Sequence, residues 1–229
     1  MQFCFVVEIP GLERLLLGNK TKPQEKEGGR ALTNCDISSL VIDKLCDQAE
    51  GQNATVACFY FDFAAREQQS PTNMLGALLK QLVCGLEETP AEVSLAYQGQ
   101  KRAIGGREPQ LGDIVKMMQS AASEKTTFIC IDALDECMAG YRVKVLDSLN
   151  EVLQGSPGTR MFVTGRPHIR TEVRKRLPGK VTTIRITPRR DDIISYLHSR
   201  LGEDTTPDAM DSSLKADILR KIPKDVSGR

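Results

Sequence analysis

Three stretches of this chain are apolar almost from end to end, yet too short to be helices: 54–61 (ATVACFYF), 126–131 (TTFICI) and 160–164 (RMFVT). Runs of that length, rich in β-branched and aromatic residues, read as strands buried on both faces. A fourth strand, 181–186, alternates Val181, Thr183 and Arg185 with Thr182, Ile184 and Ile186. Helical patterns separate them. Ser70-Pro71 supplies an N-cap and a proline at the first helical position, and Met74, Leu75, Leu78, Leu79, Leu82, Val83 and Leu86 then line one face. Further helices fit 90–98, 109–122 and 168–177, and another carries Val143, Leu146, Leu149, Val152 and Leu153 and closes at Gly155. Asp36 is placed to cap a helix whose apolar pattern is Ile37, Leu40, Val41 and Leu45. Asp191 and Asp192 sit where they suit the dipole of a helix running to Leu201, and a weaker helix covers 212–221. Buried strands alternating with helices require an α/β fold, a parallel sheet with helices on both faces. Ahead of this pattern, 3–9 has strand character, and 18–30 (GNKTKPQEKEGGR) reads as a polar loop.

Composition narrows the function classes. The 229 residues suffice for one sizeable core. Thirty-one Lys and Arg against 30 Asp and Glu leave a net charge of +1, which argues against capture of nucleic acid or anionic membrane by the whole surface. No apolar run approaches the roughly 20 residues of a membrane span, and the start is a poor secretion signal. The seven cysteines form no CxxC pair, and with two histidines there is no zinc spacing. Reduced thiols in a cytoplasmic protein are the expectation.

In a parallel sheet the ligand site lies at the carboxyl ends of the strands. There the strand at 126–131 runs into Asp132, with Asp135 and Glu136 following (IDALDE). A strand-end carboxylate such as Asp132 suits a hydrated Mg²⁺, and a second acid one short turn later can orient or deprotonate a water that attacks a phosphoryl group. The plainer alternative is a polar strand end with Asp132 as a cap. The strand at 160–164 ends in Thr164-Gly165-Arg166-Pro167, which puts a fixed cation beside the acids if the two strands are neighbours. Its alternative is a surface arginine in a Gly-Pro turn. Arg170, Arg174, Lys175 and Arg176 read as a solvated helix face, His168 and His198 as surface or capping residues, and Cys130 as a packed thiol.

IDALDE, TGRPH, FYFDF at 59–63 and RRDDIISYL at 189–197 together resemble the NACHT family of STAND-type P-loop NTPases, in particular the fungal nucleotide-binding domains described as nephrocystin-like. The likeness covers roughly 37–229. It implies a Walker B strand with Asp132 on Mg²⁺ and with Asp135 and Glu136 in the hydrolytic role. It implies a sensor 1 at Arg166, in contact with bound ATP or GTP, and self-association with protein partners in signalling. It also implies a division into an irregular segment 1–35, a nucleotide-binding core 36–188 and the start of an incomplete helical domain 189–229.

One part of the family pattern is missing. A phosphate cradle needs GxxxxGK[ST] between the first strand and first helix. Gly28 to Asp36 (GGRALTNCD) holds no Gly-Lys-Ser/Thr, and Gly18-Asn19-Lys20-Thr21 has the wrong spacing. The expectation is therefore a nucleotide-binding signalling switch with weak affinity and little or no NTPase turnover. The alternatives are a non-catalytic interaction module, or an aberrant fragment of a larger NACHT-repeat protein that ends early at Arg229. An unrelated Mg²⁺-dependent phosphotransferase is a third. No membrane or nucleic-acid partner is expected.

Overall fold

The computed structural model describes residues 2–7, 34–102, 109–177, 179, 181–186, 190–202 and 211–227; the expected loop at 18–30 lies outside them. The fold is α/β. Strands β1 (Gln2–Val7), β2 (Ala54–Tyr60), β3 (Thr126–Asp132), β4 (Thr159–Gly165) and β5 (Val181–Ile186) form one sheet in the order β2-β3-β4-β1-β5. β2, β3 and β4 are parallel, as fully apolar strands require.

The helices are α1 (Asn34–Ala49), α2 (Pro71–Cys84), α3 (Ala91–Arg102), α4 (Leu111–Ser123), α5 (Ala139–Gly155), α6 (Arg170–Arg176), α7 (Arg190–Gly202) and α8 (Ser212–Ser227). α2 starts as expected: the Ser70 hydroxyl accepts from the Asn73 N–H at 3.2 Å, with Pro71 in the first turn. No helix among the described residues is long and apolar enough to cross a membrane.

Strand alternation divides the core between two layers. Ala57, Ile129, Ile131, Met161 and Val163 point toward α2, α4 and α5 and join the larger cluster with Met74, Leu78, Met118 and Leu146. Cys130, Phe162 and Ile184 point the other way, onto Val41, Ile42 and Leu45 of α1. Helices thus cover both faces, and among the described residues the smaller layer is built on α1. The buried face of α1 differs from the expected one: Ser38, Val41, Ile42 and Leu45 are buried, while Leu40 is 41% exposed. Counting Leu40 in the apolar stripe turned that stripe about a fifth of a turn from the buried face. A serine inside the stripe hid the true face.

β1 is the other departure. It fills the place between β4 and β5 but runs antiparallel to both, with Phe3 opposite Gly165 and Val7 opposite Met161. Its carboxyl end therefore lies toward the amino ends of the parallel strands. At the far side of the sheet β2 is outermost. There the Gln81 side-chain amide of α2 accepts from the Cys58 N–H at 2.9 Å and donates to the Cys58 carbonyl at 2.8 Å.

Candidate functional site

The carboxyl ends of β2, β3 and β4 meet the first turns of α1. Asp132, the last residue of β3, is buried, and two hydroxyls converge on one of its oxygens. Thr164 Oγ1 donates to Oδ1 at 2.5 Å, and Ser38 Oγ donates to the same atom. Thr164 in turn accepts from the Ala133 N–H at 3.0 Å. That bond steadies a turn in which Ala133 has φ 53°, a left-handed conformation costly for a residue with a Cβ. The strand-end aspartate, its neighbour strand and α1 are thereby one hydrogen-bonded unit.

The turn delivers the other two acids to neighbouring loops. Asp135, whose side chain is 5% exposed, accepts from the backbone N–H of Arg166 at 3.1 Å and pairs with its Nε at 3.3 Å. The Arg166 side chain is itself 68% exposed, so solvent screens the pair and its main effect is to orient the arginine. Glu136 faces the other way and accepts from the Phe63 N–H at 3.1 Å, at the start of a 3-10 turn capped by Asp62. The structure therefore brings Asp132, Asp135 and Arg166 together between β3 and β4, and turns Glu136 toward β2. Arg142 of α5 supports the loop from behind: it donates to the Cys137 carbonyl at 3.1 Å and to Glu172 of α6 at 2.8 Å.

Sequence reasoning missed Ser38, Thr164 and Arg142. Thr164 was legible as the last polar residue of a buried strand facing the acidic one. Ser38 needed the corrected face of α1, and Arg142 looks in sequence like any charge on a helix surface.

Around this unit burial favours the protonated form of the thiols. Burial pushes the Cys137 thiol up to about 11, partly offset by the Arg142 charge, and burial raises Cys130 well above its usual range. A thiol whose folded pKa exceeds its unfolded value of about 9 supports the fold below pH 9, and that support is lost as pH rises toward about 11. Urea melts across that window should show the midpoint falling with pH, and less steeply in Cys137→Ala. An identical slope in the variant would remove Cys137 from the account.

The donors here fit Mg²⁺ in kind: a carboxylate and two hydroxyls are hard oxygen ligands. Among the described residues no group of three or more His, Cys, Asp or Glu could hold a metal by itself. The ion would need water and phosphate oxygens to complete its shell, which is its usual mode of binding.

A family model described as Nephrocystin 3, N-terminal matches residues 36–166, more than half of the chain. The match runs from α1 through the whole acidic unit to Arg166. No curated protein and no solved structure matches the chain.

Proposed function

The chain belongs to the nephrocystin 3 N-terminal family, and from that premise we propose that it is a nucleotide-switch domain of the NACHT type, with the magnesium-ordering edge kept and the phosphate cradle lost. The observation that carries the reading is the Ser38 hydroxyl on the Asp132 carboxylate. P-loop NTPases hold Mg²⁺ between a hydroxyl at the start of the first helix and an aspartate at the end of a neighbouring strand. On this reading Ser38 and Asp132 hold hydrated Mg²⁺, which when bound neutralises phosphate charge, and Thr164 fixes the carboxylate. Arg166 reaches a terminal phosphate of ATP or GTP. Residues 36–188 act as the nucleotide-binding core and 189–229 as a helical region beside it in sequence, in a cytoplasmic setting.

Two observations limit the activity. There is no Gly-Lys-Ser/Thr in the sequence before α1. A phosphate loop also needs a strand whose carboxyl end lies beside the helix N-terminus, whereas Val7 ends level with Met161, below Thr164 and Asp132. Binding then rests on Mg²⁺ and one arginine. Hydrolysis is further disfavoured because Asp135 and Glu136 already hold backbone N–H groups of neighbouring loops.

That engagement favours a second reading, an interaction module in which the acids only brace loops. A titration with fluorescent ATP and GTP analogues separates the two. The switch reading expects weak, Mg²⁺-dependent binding that Arg166→Ala reduces, with no measurable turnover. Binding indifferent to Mg²⁺ and to Arg166, or none at all, leaves the interaction module standing; tight binding with turnover would overturn the lost-cradle reading.

A further inference from the structure

β4 and β5 run in the same direction with one strand between them, so they stand two strand spacings apart, about 9.6 Å, and cannot bond to each other. The gap must be filled by a strand, and Gln2–Val7 fills it. Its pairing covers Phe3 to Val7 against β4 and Gln2 to Val7 against β5. These are main-chain ladders, and they form identically whichever copy of the chain supplies the strand.

The polarity of β1 decides which copy is free to supply it. A parallel strand in this gap would end beside α1 and pass into it through a short loop, tying the strand to its own molecule. The antiparallel strand instead leaves at the amino ends of β4 and β5, while Ser38 of α1 lies at the carboxyl end of β3. Residues 8–33 join the two points, and a segment of that length spans up to about 90 Å when extended. A segment of that length can reach the gap of a neighbouring molecule as well as its own, with concentration deciding the balance between them. A chain with β1 withdrawn leaves the facing edges of β4 and β5 bare, which reciprocal exchange repairs in both partners at once.

We propose that β1 is an exchangeable strand, and that two copies of this chain join by each seating its Gln2–Val7 between β4 and β5 of the other. The contact is a closed, two-fold one. It is independent of any nucleotide.

The register supplies the test. Cys4 stands opposite Ile184 of β5 in an antiparallel pair, where the Cα separation of about 4.5–5.5 Å suits a disulfide. Full-length Ile184→Cys is oxidised, separated without reductant and mapped by peptide mass. Exchange expects a covalent dimer linked from Cys4 of one copy to position 184 of the other. The same link within a monomer shows that the strand stays at home and overturns the proposal, as does a dimer linked elsewhere. A variant that fails to fold is bypassed with wild-type chain. Two differently tagged copies, unfolded and refolded together, should co-purify, and a synthetic peptide of residues 1–9 added in excess during refolding should abolish this. Copies that never co-purify, or that co-purify regardless of the peptide, overturn it equally.

Discussion

Phe162→Ala is expected to lower the free energy of unfolding by about 3–5 kcal/mol, the range for deleting a large buried aromatic side chain. Phe162 is 1% exposed and is the largest fully buried side chain among the described residues. It lies in the smaller of the two core clusters, where, among the described residues, α1 meets the sheet. Among the described residues, Val41, Ile42, Leu45, Cys130 and Ile184 are also buried there, with Val56, Cys58 and Phe128 partly buried against them. The cavity remains, and its cost falls on the attachment of α1. Urea unfolding measures the loss, and hydrogen exchange should show α1 amides losing protection before those of α2 and α5. A loss under about 1 kcal/mol, or uniform exchange, would mean that α1 is held by something other than this layer.

The second large effect is at Asp132. Asp132→Ala removes the acceptor of two hydroxyls in a buried setting. Hydrogen bonds to a charged group contribute about 1.5–3 kcal/mol each, and a buried donor left unpaired costs about 1–3 kcal/mol. The hydroxyls of Ser38 and Thr164 can rotate, so the expected net loss is about 2–4 kcal/mol. Asp132→Asn keeps an acceptor oxygen and should lose less. Pairing Asp132→Ala with Ser38→Ala in a double-mutant cycle should return a coupling of about 1–2 kcal/mol, because the residues touch. If the two losses simply add, Ser38 and Asp132 are not partners in solution, and the magnesium pair proposed above falls with them. In Asp132→Asn, any Mg²⁺-dependent part of nucleotide binding should disappear while the fold persists.

The elements that sequence alone resolved share a physical cause. A strand buried on both faces has no choice about its composition, so β2, β3 and β4 stand out as apolar runs. Ser70-Pro71 marks a helix start by chemistry that works locally. The acids were legible because a buried strand turns polar where it emerges, and Asp132, Asp135 and Glu136 follow that point directly. Strand direction is different. The hydrophobic pattern of 3–9 reads the same forward and backward, and only its pairing with β4 and β5 fixes its sense. The face of α1 was misjudged for a related reason. Ser38 is buried to serve Asp132, 94 residues away, and a partner at that distance leaves no trace in a helical period.

The amide of Gln81 on the outermost strand bears on how assemblies of this protein can grow. A strand arriving from another molecule would align with the outward-facing main chain of β2, and at Cys58 both groups it needs are already taken. Docking there means evicting a carboxamide at Cys58, within the seven residues of β2, before a full ladder can form. Copies joined through β1, as proposed above, therefore meet a stopper at the β2 rim. Pairs are allowed to form, but stacking of pairs into open-ended filaments along β2 is obstructed by one side chain.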